Sequence, residues 1–401
     1  MLLSEPTHEN KSRPLRGVFQ RPSGTGPFIT AIALLLALGA GHSAHAFYEF
    51  ARGEFFLQTR GSVTYDSNIF GREEAEQDLL FALNPELQYI RQAGRGNIRA
   101  AVGVRFGRYS DFTAENFNDF YSNLTVGYPM PPGTRFGGSF NASYSQDNDI
   151  SEFADQRRRI RTTRYSFGVN NSYRLSERVG LSNSLSFARR ETRGFSTVDT
   201  YSGSLGASYL YSQNLSFNTS YGASVSVSDG RATGTKREIL SQSVSVGVNG
   251  QISPRVSGTA SVGVRNTQTL RGEGRDRNSL IVSSGLNWAA RANTTVNLSA
   301  SRDIDLSPDD RTRETTSVNL RVNQRLTAKM SGNASVGYRM TEYRGVDSGT
   351  DHVYSAGTGL SYTFTDRWNA SLNYTYSVTD SHFRDDTFDR HTATLASTYR
   401  F

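Results

Sequence analysis

The sequence predicts an all-β protein: a single transmembrane antiparallel barrel of about eighteen strands with no plug domain. Three observations lead there. Long stretches alternate strictly between an apolar residue and a hydroxyl, amide or glycine. The connections between them are short and long by turns. The composition is only 36% hydrophobic yet holds 45 aromatic residues, which suits a sheet whose two faces meet different solvents. A mean hydropathy of −0.52 excludes a bundle of transmembrane helices. The absence of cysteine removes disulfide frameworks, thiolate metal sites and cysteine nucleophiles together.

The first 46 residues stand apart from this pattern. Lys11, Arg13, Arg16 and Arg21 precede an apolar run from Ile29 to Leu38, and small residues follow up to Ala44-His45-Ala46. A basic region, a short apolar core and an A-x-A site make a secretory signal, cleaved after Ala46. The apolar run falls short of the roughly 20 residues a membrane-spanning helix needs, which disfavours a permanent anchor. Residues 47–401 then form the barrel, and its formal charge falls from +7 to +5.

The strand pattern is clearest near the end of the chain. Trp368, Ala370, Leu372, Tyr374, Tyr376 and Val378 share one parity, and Asn369, Ser371, Asn373, Thr375, Ser377 and Thr379 share the other. A period of two with one apolar and one polar face is a β-strand between two environments. The same alternation runs from Leu215 to Val227 and from Tyr354 to Phe364. A soluble sandwich or solenoid would fill its second face with Lys and Glu; hydroxyls, amides, glycines and arginines suit a water-filled interior.

Eight short connections fall at 94–96, 131–133, 176–178, 212–214, 253–255, 291–293, 327–329 and 365–367. From Ser176 onward their starts are separated by 36, 41, 38, 36 and 38 residues, one hairpin each. Several open on Ser or Thr, whose hydroxyl can bond the turn backbone. Nine longer polar connections lie between them: 68–77, 110–117, 148–159, 190–198, 228–237, 271–276, 306–313, 344–351 and 381–389. Seventeen connections make eighteen strands. In hydrocarbon an open sheet edge would leave peptide groups unsatisfied, so the sheet must close. Short turns on one side and long loops on the other match the periplasmic and extracellular ends of a bacterial outer-membrane barrel. Tyr128, Tyr173, Tyr209, Tyr211, Tyr362, Phe364, Trp368 and Tyr399 are spaced to form an interfacial girdle, with membrane lipid and lipopolysaccharide as the surroundings.

Two short stretches carry a family resemblance. Leu395, Ser397, Tyr399 and Phe401 continue one parity to the terminus, and a terminal Phe resembles the assembly signal of bacterial outer-membrane barrels. Gly61-Ser62-Val63-Thr64-Tyr65-Asp66-Ser67-Asn68-Ile69-Phe70, followed by Leu83-Asn84-Pro85, resembles the opening of a β-barrel porin family often encoded beside exopolysaccharide synthesis and export machinery. The resemblance marks Tyr65, Asp66, Ser67 and Asn68 as motif residues and Tyr399 and Phe401 as the signal read by the barrel assembly machinery. It implies a passive channel, with extracellular polysaccharide as cargo and periplasmic polysaccharide export components as partners.

The polar parity is the candidate functional surface. It holds Arg60, Arg99, Arg105, Arg164, Arg174, Arg190, Arg265, Arg321, Arg325 and Arg339 as pore-lining residues, against Asp66, Glu86 and Asp303. Guanidinium grips carboxylate or phosphate bidentately, so such a lumen would favour anions. Cross-wall pairing with acids is the structural alternative. Eighteen strands give a backbone diameter of roughly 35 Å and an opening on the order of 20 to 25 Å unless a loop folds in. A general or small-solute porin and a structural barrel with a closed pore are the rival functions.

Other classes fare worse. His352 near Asp347 and Asp351, and His382 near Asp385, Asp386 and Asp389, sit in polar loops without a distinctive nucleophile, so no catalytic role is expected. The Asp66 to Asn68 oxygens match no calcium-loop spacing, and no metal or cofactor is expected. The pI of about 9.5 comes without a basic cluster, which argues against nucleic acid. Arg271-Gly272-Glu273-Gly274-Arg275 is glycine-rich, but no helix follows to present amides to phosphate.

Overall fold

Strict alternation leaves these segments no stable partner but each other, and the structure pairs them into one closed sheet. The computed structural model describes residues 48–93, 96–128, 134–150, 159–231, 234–272, 276–306, 312–344, 348–382 and 386–401. The expected leader and its cleavage site lie outside the described residues, as do the tips at 94–95 and 131–133.

The strands are β1 (Tyr48–Phe50), β2 (Gly53–Asp66), β3 (Asp78–Ala93), β4 (Gly96–Tyr109), β5 (Phe117–Tyr128), β6 (Phe136–Ile150), β7 (Arg159–Arg174), β8 (Val179–Thr192) and β9 (Val198–Ser212). They continue as β10 (Leu215–Ser228), β11 (Arg237–Ser253), β12 (Val256–Arg271), β13 (Arg277–Arg291), β14 (Thr294–Leu306) and β15 (Thr312–Arg325). The last four are β16 (Met330–Arg344), β17 (Gly349–Thr365), β18 (Trp368–Ser381) and β19 (Asp386–Arg400). Each strand from β2 onward pairs antiparallel with the next, and β19 closes the ring on β2 from Thr392↔Asp66 to Arg400↔Gln58. Eighteen strands therefore make the barrel, as the turn count predicts. Among the described residues there is no α-helix and no plug domain; a single 3-10 turn, Thr113–Glu115, sits between β4 and β5.

The nineteenth strand is a local repair. Beyond Phe401, whose amide donates to the Leu57 carbonyl at 2.8 Å, the edge of β2 would be bare. β1 folds back and covers it, with Tyr48↔Phe55 and Phe50↔Gly53 in register. The turn uses Ala51 and Arg52 with φ of 51° and 65°, the left-handed geometry of a two-residue hairpin.

Barrel strands are 12 to 17 residues long, whereas crossing the hydrocarbon takes about 9 to 11. Leu185, Leu205, Val246 and Leu372 are exposed on the outward parity, as lipid contacts require, and outward charges such as Arg161, Arg189 and Glu342 occur only near strand ends. The periplasmic turns form as expected: Ser176 Oγ accepts from the Arg178 and Val179 amides at 3.3 and 3.1 Å, and Thr365 Oγ1 repeats the motif with Arg367 and Trp368. Just above them, all eight girdle aromatics lie on the outward parity, with Phe364 and Trp368 stacked at 4.0 Å.

Candidate functional site: a hydroxyl-lined lumen with a narrowed mouth

The pairing register fixes the inner face. Starting from Leu372 as lipid-facing and stepping through the partners places all ten candidate arginines on the opposite parity, together with Asp66, Glu86 and Asp303. The wall between the charges is mostly Ser, Thr, Asn and Gly. Many of its hydroxyls bond each other across strands: Ser184 to Ser204 and Ser143 to Ser166 at 2.7 Å, Ser220 to Ser245 at 2.8 Å, and Ser301 to Ser317 and Thr64 to Thr394 at 2.9 Å. On β8 to β14 the inner face carries no charged side chain below Arg190, Arg237, Arg265, Arg277 and Asp303, down to the periplasmic turns.

The extracellular mouth is built differently. The Asp66-Ser67-Asn68-Ile69-Phe70 motif leaves β2 and turns into the barrel. Arg390 on β19 grips the Asp66 carboxylate through Nε at 2.9 Å and through Nη2. The Asn68 amide returns to Asp66 Oδ1 at 3.1 Å, and Asn68 Nδ2 donates to the Arg72 carbonyl at 2.6 Å. Ser67 and His391 exchange two bonds, at 3.0 and 2.8 Å. Gly71 turns the chain at φ 63°, a conformation L side chains resist. So anchored, Ile69 and Phe70 pack on Tyr109 and Phe117, with Leu80 and Phe112 at the edge of the cluster. Tyr109, Phe117 and Leu80 are inward residues of β4, β5 and β3, so the loop lies on the lumen side of the wall. Asp78 fastens the neighbouring loop by accepting from the Asp111 and Phe112 amides at 3.1 and 2.9 Å.

A second element narrows the mouth from nearly the opposite side. The β13–β14 ladder stops at Val282↔Arg302, while β14 and β15 stay paired up to Leu306↔Thr312. The freed hairpin slides inside its neighbours. Its Ile304 and Thr312 face Ser226, Ile239 and Thr267 on the inner walls of β10, β11 and β12. Glu314, 2% exposed, sits between Arg302 Nε at 2.7 Å and Arg277 Nη2 at 3.1 Å. Arg265 donates to the Ile304 carbonyl at 2.9 Å and pairs with Asp303, and Arg237 donates to Thr312 Oγ1 at 3.3 Å. The opening of about 20 Å or more expected for bare eighteen-strand geometry is thus reduced at this end by a loop and a hairpin.

The arginines divide by height. Near the mouth Arg105 meets Asp119 at 3.5 Å, and Arg164 pairs with Asp147. Arg190 and Arg339 also have partners. Arg60, Arg99, Arg174, Arg321 and Arg325 are exposed, lie from mid-wall to the periplasmic ends, and have no side-chain partner among the described residues. Tyr65 is outward and donates to Gln77 at 2.7 Å; Tyr399 and Phe401 meet edge to face at 4.7 Å. Sequence reasoning missed Arg390, Arg302 and Glu314 as mouth residues. The only signal was a pair of charges, Arg302 and Glu314, on a parity that should face lipid, which Arg189 and Asp199 share.

The remaining candidates fall outside the lumen. His352, on the outward parity, bonds Tyr338 Oη at 2.9 Å, and His382 lies 3.7 Å from Asp380. Asp347 and Asp385 lie outside the described residues, as does the Glu273 to Arg275 part of the glycine-rich loop. The Asp66 and Asn68 oxygens are taken up by Arg390 and by backbone amides. No group of three or more His, Asp or Glu that could hold a metal occurs among the described residues.

Residues 228–401 match the model of the family described as Putative beta-barrel porin 2. No curated protein matches the chain. Similar solved structures include OccAB4 of Acinetobacter baumannii, 12% identical over 88% of this chain and 99% of the other, with a TM-score of 0.47. OpdK of Pseudomonas aeruginosa with vanillate is 9% identical over 87% and 99%, at 0.48. The FrpB iron transporter of Neisseria meningitidis is 7% identical over 89% and 82%, also at 0.48. An eighteen-strand barrel with a porin-family match belongs in the bacterial outer membrane.

Proposed function

We propose that this outer-membrane porin is a passive, non-catalytic conduit for extracellular polysaccharide. The observation that carries the reading is the inner face of β8 to β14, a continuous surface of serine, threonine, asparagine and glycine without charge below the mouth. A hydroxyl-rich polymer meets there the same kind of hydrogen-bonding groups that water offers, spread evenly rather than gathered into one site. Conduction needs contacts favourable enough to admit the cargo and weak enough to release it. The narrowed mouth suits a single extended chain rather than a folded globule. Periplasmic export components would deliver the chain, and the barrel assembly machinery would read the end at Tyr399 and Phe401.

Refolded protein in a planar bilayer tests this. A steady conductance is expected, with brief, length-dependent blockades when neutral dextran oligomers are added. Conductance without any response to dextran would leave the second reading, a small-solute anion porin, which the unpaired arginines and the narrowed mouth favour. A barrel that never conducts would be a structural one, and both transport readings would fail.

A further inference from the structure

We infer that the periplasmic half of the lumen is a capture site for acidic glycan segments, chains that carry carboxylate or phosphate among their hydroxyls. The inference rests on the polysaccharide reading and narrows it to a chemical class and a side of entry.

Its basis is an asymmetry within one population of side chains. Inward arginines near the mouth are engaged: Arg105 by Asp119, Arg164 by Asp147, Arg265 by Asp303, Arg277 by Glu314 and Arg390 by Asp66. Those lower down, Arg60, Arg99, Arg174, Arg321 and Arg325, present unpaired guanidinium groups to the water-filled interior. If inward arginines served only to brace the wall, carboxylates would accompany them at every height. In the lower half the inward acids of the described residues are Glu86, which already accepts from Gln88, and, at the rim, Glu54 with Glu49 opposite it in the β1–β2 register. The imbalance has a direction around the ring as well. All five unpaired arginines belong to β15, β2, β4 and β7, outside the uncharged wall of β8 to β14: β7 and β15 border that wall, and β2 and β4 lie across the ring from it.

A lumen with guanidinium groups bordering and facing a wall of hydroxyls matches a chain that carries anionic groups among its hydroxyls. Guanidinium binds carboxylate and phosphate with paired, charge-assisted bonds. A low-dielectric wall around a charged passage focuses its field and raises the local concentration of opposite charge. Because carboxylates stand beside Arg105, Arg164, Arg265, Arg277 and Arg390 near the mouth and, among the described residues, beside none of the five lower arginines, the uncompensated field lies toward the periplasm.

Single-channel recording on the folded barrel tests the site, with an oligogalacturonide and a maltooligosaccharide of equal length as probes. Added on the periplasmic side, the acidic probe is expected to block at about tenfold lower concentration than the neutral one. From the extracellular side the advantage should be smaller, and at 1 M salt, where the Debye length is about 3 Å, it should largely vanish. Arg321→Gln with Arg325→Gln should remove most of the advantage and leave the neutral probe's blockade unchanged, while Arg321→Lys with Arg325→Lys should keep most of it. Equal blockade by both probes on the native channel, or an advantage untouched in the Gln variant, overturns the proposal. If neither glycan affects a conducting channel, the polysaccharide reading fails. The capture site then stands on small anions alone, and a reversal potential in a KCl gradient that the Gln variant does not shift overturns it too.

Discussion

Leu372 and Asn373 are neighbours in β18 that face different solvents, and the register makes their substitution informative. Leu372 is half exposed on the lipid side. Leu372→Arg should cost about 2 to 4 kcal/mol in a lipid refolding titration, and Asn373→Arg, in the wet interior, close to nothing. Equal costs would mean that the inside and outside assignments are wrong. Two arginines make a second contrast. Arg105→Ser removes the guanidinium that faces Asp119 Oδ2 at 3.5 Å and leaves this carboxylate, 2% exposed, with the Asn148 amide alone, so a loss of about 1 to 3 kcal/mol is expected. Arg321→Ser removes a group that nothing holds; stability should stay within about 0.5 kcal/mol while the reversal potential in a salt gradient moves toward cations. Which arginines point inward was legible, because strand parity is a strict rule. Which of them are paired was not, since Arg390 and Asp66 lie 324 residues apart and only barrel closure brings them together.

At the scale of elements, the mouth loop and the β14–β15 hairpin set the width. Asp66→Ala releases the Arg390 clamp and the Asn68 turn at once, and a higher single-channel conductance is expected, read at fixed salt beside the native channel. Glu314→Gln leaves Arg277 and Arg302 without their shared carboxylate, and should loosen the hairpin with noisier, larger openings. Unchanged conductance in both variants would show that neither element limits flow. Strands and turns could be read from the sequence because their signals are local: alternation, and a hydroxyl opening five of the eight tight turns. Inward folding could not, because an eight-residue polar connection looks the same whether it stands above the membrane or tucks inside. The charges at Arg302 and Glu314 were no distinctive trace, since Arg189 and Asp199 pair on the same lipid parity near the end of strands that stay in the wall.

For the whole molecule, closure decides what the separate strands can do. The count of eighteen followed from connections alone, and the outer membrane from the two faces. The tilt of polarity along the lumen, engaged charges above and unpaired ones below, emerges only once all strands are wound into register. The serine wall has one more consequence. Ser184 with Ser204, Ser143 with Ser166 and Ser220 with Ser245 each share one hydrogen bond across the strands. Each pair still offers one hydroxyl hydrogen and free lone pairs, alike from pair to pair, so a sliding molecule trades one modest contact for the next and the energy along its path varies little. Along this arc no single position holds the cargo, and the speed of transit should be governed by whatever pushes or pulls it.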